Sequence, residues 1–262
     1  LSDGRLLPVP GEMIANILHF MMEVFAGGSD APAVELSVPQ LLALEESISH
    51  SSAPVQISSS VWLKQMKQLA GLEGLPVCEV PTQLKAELRD YQCEGLSWMQ
   101  FLRQMNLGGI MADDMGLGKT VQALAHILKE KEEGRLEHPA LVIAPTSLMH
   151  NWRRESEKFT PDLSMLVVHG PDRAKHFENL ADYDLVITTY PLLARDFDVL
   201  EAQNWHLLIL DEAQYIKNPR SKVARLVRQL NVKHKLCMTG TPMENHLGEL
   251  WAQFDFLMPG YL

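Results

Sequence analysis

The sequence predicts an α/β protein with a parallel sheet flanked by helices, and three observations support this prediction. Near-continuous Val/Ile/Leu runs alternate with helical patterns over residues 84–262, as in strands that are buried on both faces. A glycine-rich stretch at residues 113–120 lies between one such run and the next helical pattern. Two adjacent carboxylates, Asp211 and Glu212, end another run. Because ligands bind at the carboxyl ends of parallel strands, both features are expected at one edge of the sheet.

The pattern divides into elements along the chain. Strands are predicted at residues 107–112, 140–144, 165–169, 184–189, 206–210 and 234–239. Helices between them are predicted at residues 119–133, 147–159, 171–180, 191–201 and 219–230.

Local signals mark some helix ends and faces. Asn218 followed by Pro219 is typical of a helix start, and Gly134 is typical of a helix end. Trp152 is expected to pack in the core. A last core-facing helix is predicted from the apolar stripe Leu247, Leu250, Trp251, Phe254 and Leu257.

The first 82 residues are predicted to form a small, mainly helical accessory region. An amphipathic pattern runs from Ile14 to Phe25 and stops at Gly27, and a second helical segment covers residues 61–70. No residue pattern in this part indicates chemistry. The expected division is therefore residues 1–82 for the accessory region and residues 83–262 for the domain with the sheet.

Composition excludes several classes of protein. No stretch approaches the ~18 to 20 apolar residues of a membrane span, so no membrane partner is expected. The three cysteines have neither metal-site nor disulfide spacing, which is typical of a reducing, intracellular compartment. Because the chain begins at Leu1, it is expected to be a piece of a longer protein.

The net charge of −10 argues against a surface coated with phosphate-binding charge, but one basic run stands out. No acid interrupts the sequence between Glu212 and Glu244. Either a solvated helix face or a nucleic-acid face would have this pattern. The run consists of Lys217, Arg220, Lys222, Arg225, Arg228, Lys233 and Lys235.

The glycine-rich stretch has the parts of a phosphate-binding loop (P-loop) for ATP. Gly116 and Gly118 allow a tight turn, Lys119 can reach the β- and γ-phosphates, and Thr120 can ligate Mg²⁺. Asp113 occupies the position where such loops usually carry their first glycine. The predicted phosphate-binding residues are Asp114, Met115, Gly116, Leu117, Gly118, Lys119 and Thr120.

ATP hydrolysis also needs a carboxylate for the metal and a group that positions water. The string "LLILDEAQ" supplies both, with Asp211 for the Mg²⁺ shell and Glu212 for the attacking water. Lys119, Asp211 and Glu212 are therefore the predicted catalytic residues.

With both motifs, the sequence resembles helicase superfamily two ATPases, and more closely the Swi/Snf family of double-stranded-DNA translocases. "LRDYQCEGLSWM" is similar to the Q motif, which implies that Gln92 reads the adenine. "LVIAPTSLMHNW" and "VITTY" resemble motifs Ia and Ib, which the family uses near the DNA backbone. "MTGTPMENHLGELW" resembles motif III, where Thr239 and Thr241 would couple the nucleotide state to movement. The family's loop is typically "D-x-M-G-L-G-K-T", which accounts for Asp113.

The resemblance implies the first RecA-like lobe of a motor that moves along double-stranded DNA. A second RecA-like lobe of the same full-length protein would complete the ATP site, so this chain alone is expected to hydrolyse ATP poorly or not at all. RNA polymerase or another DNA-bound protein is an expected partner. "DEAQ" is more like bacterial members, which implies a cytoplasmic, nucleoid-associated protein, or a nuclear one if the source is eukaryotic.

The sequence is also compatible with two alternative functions. One is a helicase that separates DNA strands or acts on RNA, and the other is a nucleotide-dependent module that docks a partner protein through the N-terminal helices.

Overall fold

The six predicted strands all form and pair as one parallel sheet in the computed structural model, with the order β1-β6-β5-β2-β4-β3. The structure describes residues 75–241 and 247–259. The strands are β1 (Gly109–Met111), β2 (Ala140–Ala144), β3 (Met165–Val167), β4 (Leu185–Thr189), β5 (Asn204–Asp211) and β6 (Asn231–Met238). The fold class predicted from the sequence is confirmed.

Helices connect the strands and cover the sheet. The α-helices are α1 (Asp90–Gln104), α2 (Lys119–Glu132), α3 (Met149–Phe159), α4 (Tyr190–Leu193), α5 (Phe197–Glu201), α6 (Lys222–Gln229) and α7 (Leu247–Leu257). Within the described ranges, the remaining connections contain three 3₁₀ segments, Thr146–Leu148, Pro171–Asp182 and Ala213–Ile216.

Hydrophobic side chains pack on both faces of the sheet. Successive residues of β2 point to opposite faces, so Val142 joins one core cluster while Leu141 and Ile143 join the other. Val142 also pairs in register with Ile187 of β4 and with Ile209 of β5. This double coverage explains why β2, β4 and β5 read as near-continuous runs rather than alternating ones.

The predicted helix at residues 191–201 is interrupted. Asp196 has non-helical dihedral angles at the start of α5. Its carboxylate accepts two hydrogen bonds from Arg173, at 2.6 Å from Nε and 2.8 Å from Nη2. The segment forms the two short helices α4 and α5, and this bidentate ion pair lies at the break between them.

The predicted start of α6 is wrong. Ser221 caps the helix, since its Oγ accepts from the Ala224 backbone N–H at 3.1 Å. Asn218 caps only a preceding turn, in which its Oδ1 accepts from the Arg220 N–H at 3.0 Å. Both residues are good capping residues, and the sequence alone does not rank them. The prediction at Gly134 is confirmed, because this residue follows α2 with a φ of +67°.

The predicted face of α7 is confirmed at Leu257, which is 5% exposed, and wrong at Trp251. Trp251 is 40% exposed, whereas Phe256, outside the predicted stripe, is fully buried. Polar contacts fix this rotation: Arg228 lies 2.8 Å from Asp255, and Lys235 Nζ donates to the Phe256 carbonyl at 3.1 Å. The side chain of Leu247 lies outside the described residues. Trp152, by contrast, is fully buried as expected.

The same contacts place members of the basic run against different parts of the protein. Arg228 and Lys235 face α7, and Lys233 lies 3.5 Å from Glu137. The run therefore does not form a single nucleic-acid face. Its exposed members are Arg220, Lys222, Arg225 and Lys233.

The predicted accessory region lies mostly outside the described residues. Within residues 75–82 the structure contains neither helix nor strand. This segment contacts the domain: Cys78 N–H donates to Ser97 Oγ at 2.9 Å, and Thr82 N–H donates to Glu132 at 3.1 Å. None of the helices in the described part of the chain is long and apolar enough to span a membrane.

A buried polar cluster joins α1 and α2 to β5. Glu130, only 1% exposed, accepts from Gln100 at 3.0 Å and from Arg135 at 2.7 Å, and lies 3.0 Å from His206. Burial alone would raise the pKa of Glu130, but the hydrogen bonds from His206, Arg135 and Gln100 hold it well below its usual value. Burial lowers the pKa of His126 to about 4, from 6.5, because the charged form of the ring would lose its hydration there. The buried ring contacts Gln100.

Stability is expected to fall as the pH falls from about 6.5 toward 4. In this window the unfolded chain protonates His126 while the folded chain holds it neutral, so protons favour unfolding. His126 accounts for on the order of 2 kcal/mol of unfolding free energy between pH 7.5 and 5. Urea denaturation at the two pH values measures the loss. His126→Gln should lose less unfolding free energy than wild type between the two pH values. The control His138→Gln, which changes an exposed histidine, should lose as much as wild type. An unchanged loss in His126→Gln would contradict this account.

Candidate nucleotide-binding site

A cavity of about 210 Å³ lies at the carboxyl edge of the sheet, where the phosphate loop and the carboxylate pair meet. The loop and α2 contribute one wall, the start of α3 another, and the ends of β5 and β6 the floor. The lining residues are Met115, Gly116, Gly118, Lys119, Thr120, Leu148, Asn151, Glu155, Asp211, Glu212 and Met238. The structure thus brings the predicted catalytic residues together across about 90 residues of sequence.

Backbone conformation explains the two loop glycines. Gly116 and Gly118 have φ values of +85° and +80°, which residues with a Cβ rarely adopt. A Cβ at Gly118 would also lie 2.5 Å from Gln92 Nε2. Because α2 begins at Lys119, directly after Gly118, its first N–H groups have no intrahelical partner and can bind an anion.

Lys119 is bound to the loop itself. Its Nζ donates to the carbonyl oxygens of Asp113, at 2.7 Å, and Asp114, at 3.1 Å. The ammonium group therefore rests on two neutral acceptors at the mouth of the loop. Phosphate oxygens would be stronger acceptors for the same donors, because such hydrogen bonds are charge-assisted.

Gln92 lies behind the loop rather than in the cavity. Only 8% of it is exposed; its Nε2 donates to the Leu117 carbonyl at 3.0 Å, and its Oε1 accepts from the Arg89 N–H at 3.0 Å. Tyr91 donates to the same Leu117 carbonyl at 3.1 Å. In this structure the glutamine connects α1 to the phosphate loop, and its contact with adenine stays a prediction.

Asp113 has a partner that sequence reasoning missed. Its carboxylate accepts from Gln122 Nε2 at 3.0 Å, and Gln122 is buried in α2. Gly95 leaves room for this side chain, because a Cβ there would lie 2.1 Å from Gln122 Oε1. The acid at 113 thus joins the start of the loop to the helix that follows it. The available signal was a glutamine at the start of an otherwise apolar stretch of α2.

Asp211 is fixed by three hydrogen bonds. Oδ2 accepts from Trp152 Nε1 at 2.8 Å, Oδ1 accepts from the Glu212 N–H at 3.0 Å, and its carbonyl accepts from Tyr190 Oη at 2.7 Å. Burial raises the pKa of Asp211, while the Trp152 hydrogen bond and the charge of Lys119 act in the opposite direction.

Glu212 has an unusual backbone and a connected side chain. Its φ of 51° and ψ of 59° lie in the left-handed region, which is uncommon for a residue other than glycine and is found at functional sites. Its carboxylate accepts from Gln214 at 2.9 Å, and Gln214 in turn accepts from Thr239 Oγ1 at 3.0 Å. Thr239 Oγ1 accepts from the Thr241 N–H at 3.0 Å. A chain of hydrogen bonds therefore runs from Glu212 to both threonines of the predicted motif III.

The residues present fit a nucleotide with Mg²⁺. Thr120 and Asp211 offer the oxygen ligands that Mg²⁺ prefers, and both line the cavity. In the described part of the chain, no group of three or more His, Cys, Asp or Glu side chains could hold a metal ion by itself. Mg²⁺ is commonly bound by one or two carboxylates together with water and substrate phosphates, so Asp211 and Thr120 would be sufficient protein ligands.

Residues 91–262 match the family model of the SNF2-related domain. The chain belongs to the SNF2-related family. The matched region contains the phosphate loop, the carboxylate pair and both threonines, so every part of the cavity comes from the SNF2-related domain.

The similarity to individual proteins extends over different shares of the chain. It is 41% identical to the ATP-dependent helicase/translocase-like protein YwqA of Bacillus subtilis (strain 168), over 99% of this chain and 29% of YwqA. It is 40% identical to the ISWI chromatin-remodeling complex ATPase ISW2 of Saccharomyces cerevisiae, over 71% of this chain and 17% of ISW2.

A solved SNF2-related structure supports the fold. The SWI2/SNF2 ATPase core of Sulfolobus solfataricus in complex with double-stranded DNA is 44% identical, with a TM-score of 0.66, over 71% of this chain and 38% of that one. The parallel sheet with its helices is thus the RecA-like fold of this ATPase core. The chain spans less than two fifths of the length of each of these relatives.

Proposed function

We propose that the chain is the ATP-binding lobe of an ATP-dependent double-stranded-DNA translocase that remodels or displaces DNA-bound protein. The observation that carries this proposal is that Lys119, Thr120, Asp211 and Glu212 line one and the same cavity. The name of YwqA, a helicase/translocase, supports translocation. The complex of the Sulfolobus ATPase core with double-stranded DNA supports duplex DNA as the track. The name of ISW2, a chromatin-remodeling ATPase, supports remodelling of a DNA-bound protein.

Each residue of the cavity has a defined task in ATP hydrolysis. Thr120 and Asp211 would hold Mg²⁺, which neutralises phosphate charge as the bond to the γ-phosphate breaks. Lys119 and the N–H groups at the start of α2 bind the phosphates. Glu212 orients the attacking water and accepts its proton, and Gln214 holds the Glu212 carboxylate at 2.9 Å.

Hydrogen bonds offer a route from hydrolysis to movement. Loss of the γ-phosphate changes the charge next to Glu212, and Gln214 connects that carboxylate to Thr239. Thr239 and Thr241 lead into the C-terminal part of the matched domain. A second RecA-like lobe, contributed by the full-length protein, would complete the ATP site and the DNA track.

DNA is proposed to bind beside the start of α3. Thr146, Ser147 and His150 are exposed there, at the same edge of the sheet as the cavity. Hydroxyl groups and backbone N–H groups of this kind contact phosphates without reading sequence. The position agrees with a motor that acts on many DNA sequences.

Double-stranded DNA is expected to stimulate ATP hydrolysis by the intact protein more strongly than single-stranded DNA or RNA. An ATPase assay with the three nucleic acids side by side, at one salt concentration, tests this expectation. Stronger stimulation by single strands or RNA, together with unwinding of a tailed duplex, would instead favour a strand-separating helicase. A turnover that no nucleic acid changes would contradict the proposed motor.

A further inference from the structure

Trp152 donates a hydrogen bond to the nucleotide site, although it belongs neither to the phosphate loop nor to the carboxylate motif. Its side chain is fully buried on α3, and its Nε1 donates to Asp211 Oδ2 at 2.8 Å, across 59 residues of sequence. The other carboxylate oxygen accepts from the Glu212 N–H at 3.0 Å. Each oxygen of Asp211 therefore has one protein donor and keeps acceptor capacity for groups in the cavity.

A second tryptophan shows the ordinary arrangement. Trp205 is 1% exposed, and its Nε1 donates to the Leu200 carbonyl, also at 2.8 Å. A buried indole needs some acceptor, and a backbone carbonyl is sufficient. Trp152 instead uses the carboxylate that ends β5 in the cavity, where the hydrogen bond is charge-assisted.

The helix that carries Trp152 also forms the cavity wall. Asn151 and Glu155 of α3 line the cavity, and Asn151 donates to Glu155 at 2.8 Å. The position of α3 therefore determines both the shape of this wall and the direction of the Asp211 carboxylate. Donors behind a metal-binding carboxylate set its orientation and affect metal affinity strongly.

We propose that Trp152 is a positioning residue for the metal of the nucleotide site: its indole N–H holds the Asp211 carboxylate in the orientation that binds Mg²⁺. This inference rests on the proposed function, because it assumes that Asp211 meets Mg²⁺ together with a nucleotide. It assigns Trp152 a task beyond packing, and it separates Trp152 from Trp205, which is equally buried.

Calorimetric titration of ADP into the intact protein, in EDTA and at a series of Mg²⁺ concentrations, tests the inference without turnover. In wild type, Mg²⁺ should strengthen ADP binding. Trp152→Phe should need about tenfold more Mg²⁺ for half of this gain, with unchanged ADP affinity in EDTA. Trp205→Phe removes an indole hydrogen bond of the same length away from the cavity, and it should keep the wild-type Mg²⁺ midpoint.

A second substitution covers the case in which phenylalanine leaves a destabilising gap. Benzothienylalanine at position 152 keeps the two fused rings and replaces the N–H by sulfur, so it should shift the Mg²⁺ midpoint with the fold intact. A wild-type midpoint in the folded variant, or an equal shift in Trp205→Phe, would overturn the inference and leave the proposed function standing. If Mg²⁺ does not change the ADP affinity of the wild-type protein, both the inference and the proposed function are overturned.

Discussion

The Glu212→Gln variant is expected to bind ATP about as well as wild type and to hydrolyse it about 10²- to 10⁴-fold more slowly. Glutamine has nearly the shape of glutamate, and its side-chain oxygen can still accept from Gln214, which lies 2.9 Å from the Glu212 carboxylate. What it lacks is the charge that accepts a proton from water. The defect should therefore appear in kcat and leave nucleotide affinity nearly unchanged.

Single-turnover hydrolysis and ADP binding, measured on the intact protein with duplex DNA, separate the two effects. Glu201→Gln is the matched control, since it removes an exposed carboxylate from the last residue of the short helix α5, outside the cavity lining. Turnover of Glu212→Gln within a few-fold of that control would assign water activation to a different group.

Much of the fold was predictable because burial on both faces makes the central strands β2 and β5 mostly apolar runs. β2 is buried along its whole length and has the apolar sequence "ALVIA". β4 is equally buried and has the sequence "LVITT", whose threonines also favour strands. The loop and the carboxylate pair were predictable for a related reason. Their chemistry depends on residues that are adjacent in sequence, and parallel strands bring their carboxyl ends to one edge.

The parts that sequence reasoning missed depend on contacts between distant residues. The face of α7 is set by Arg228 and Lys235, which bind the helix from α6 and β6. The start of α6 depended on a choice between two nearby capping residues. A pattern of apolar spacing contains neither kind of information.

The same limit applies within the site. Gln122, Trp152 and Gln214 each donate a hydrogen bond to a predicted or motif carboxylate, yet each has an unremarkable place in its own segment. Glu212 also adopts a left-handed conformation that the string "DEAQ" does not reveal. The sequence identified the groups that meet the substrate, whereas the structure was needed for the groups that hold them in place.

The Lys119→Ala variant is expected to lose most ATP hydrolysis, with kcat lower by on the order of 10²- to 10³-fold, and to bind nucleotide more weakly. The side chain supplies a positive charge at the phosphates as charge develops in the transition state. Its loss also removes the two bonds from Nζ to the Asp113 and Asp114 carbonyl oxygens, at 2.7 and 3.1 Å. Both effects should weaken binding, and only the first acts on the chemical step.

Thermal unfolding distinguishes these two effects. A nucleotide that binds only the folded protein raises its Tm, so wild type should be stabilised by Mg-ADP and Lys119→Ala should not. Lys129→Ala is the matched control, because Lys129 lies on the same helix and pairs with Glu133 at 2.9 Å, away from the loop. If Lys119→Ala has the Tm of wild type without nucleotide, the loop bonds contribute little to stability and the loss of function comes from the missing charge. If its Tm without nucleotide is lower and that of Lys129→Ala is not, the two carbonyl contacts also stabilise the loop. A Lys119→Ala variant with wild-type turnover and a wild-type Mg-ADP shift would contradict the assignment of this cavity as the ATP site.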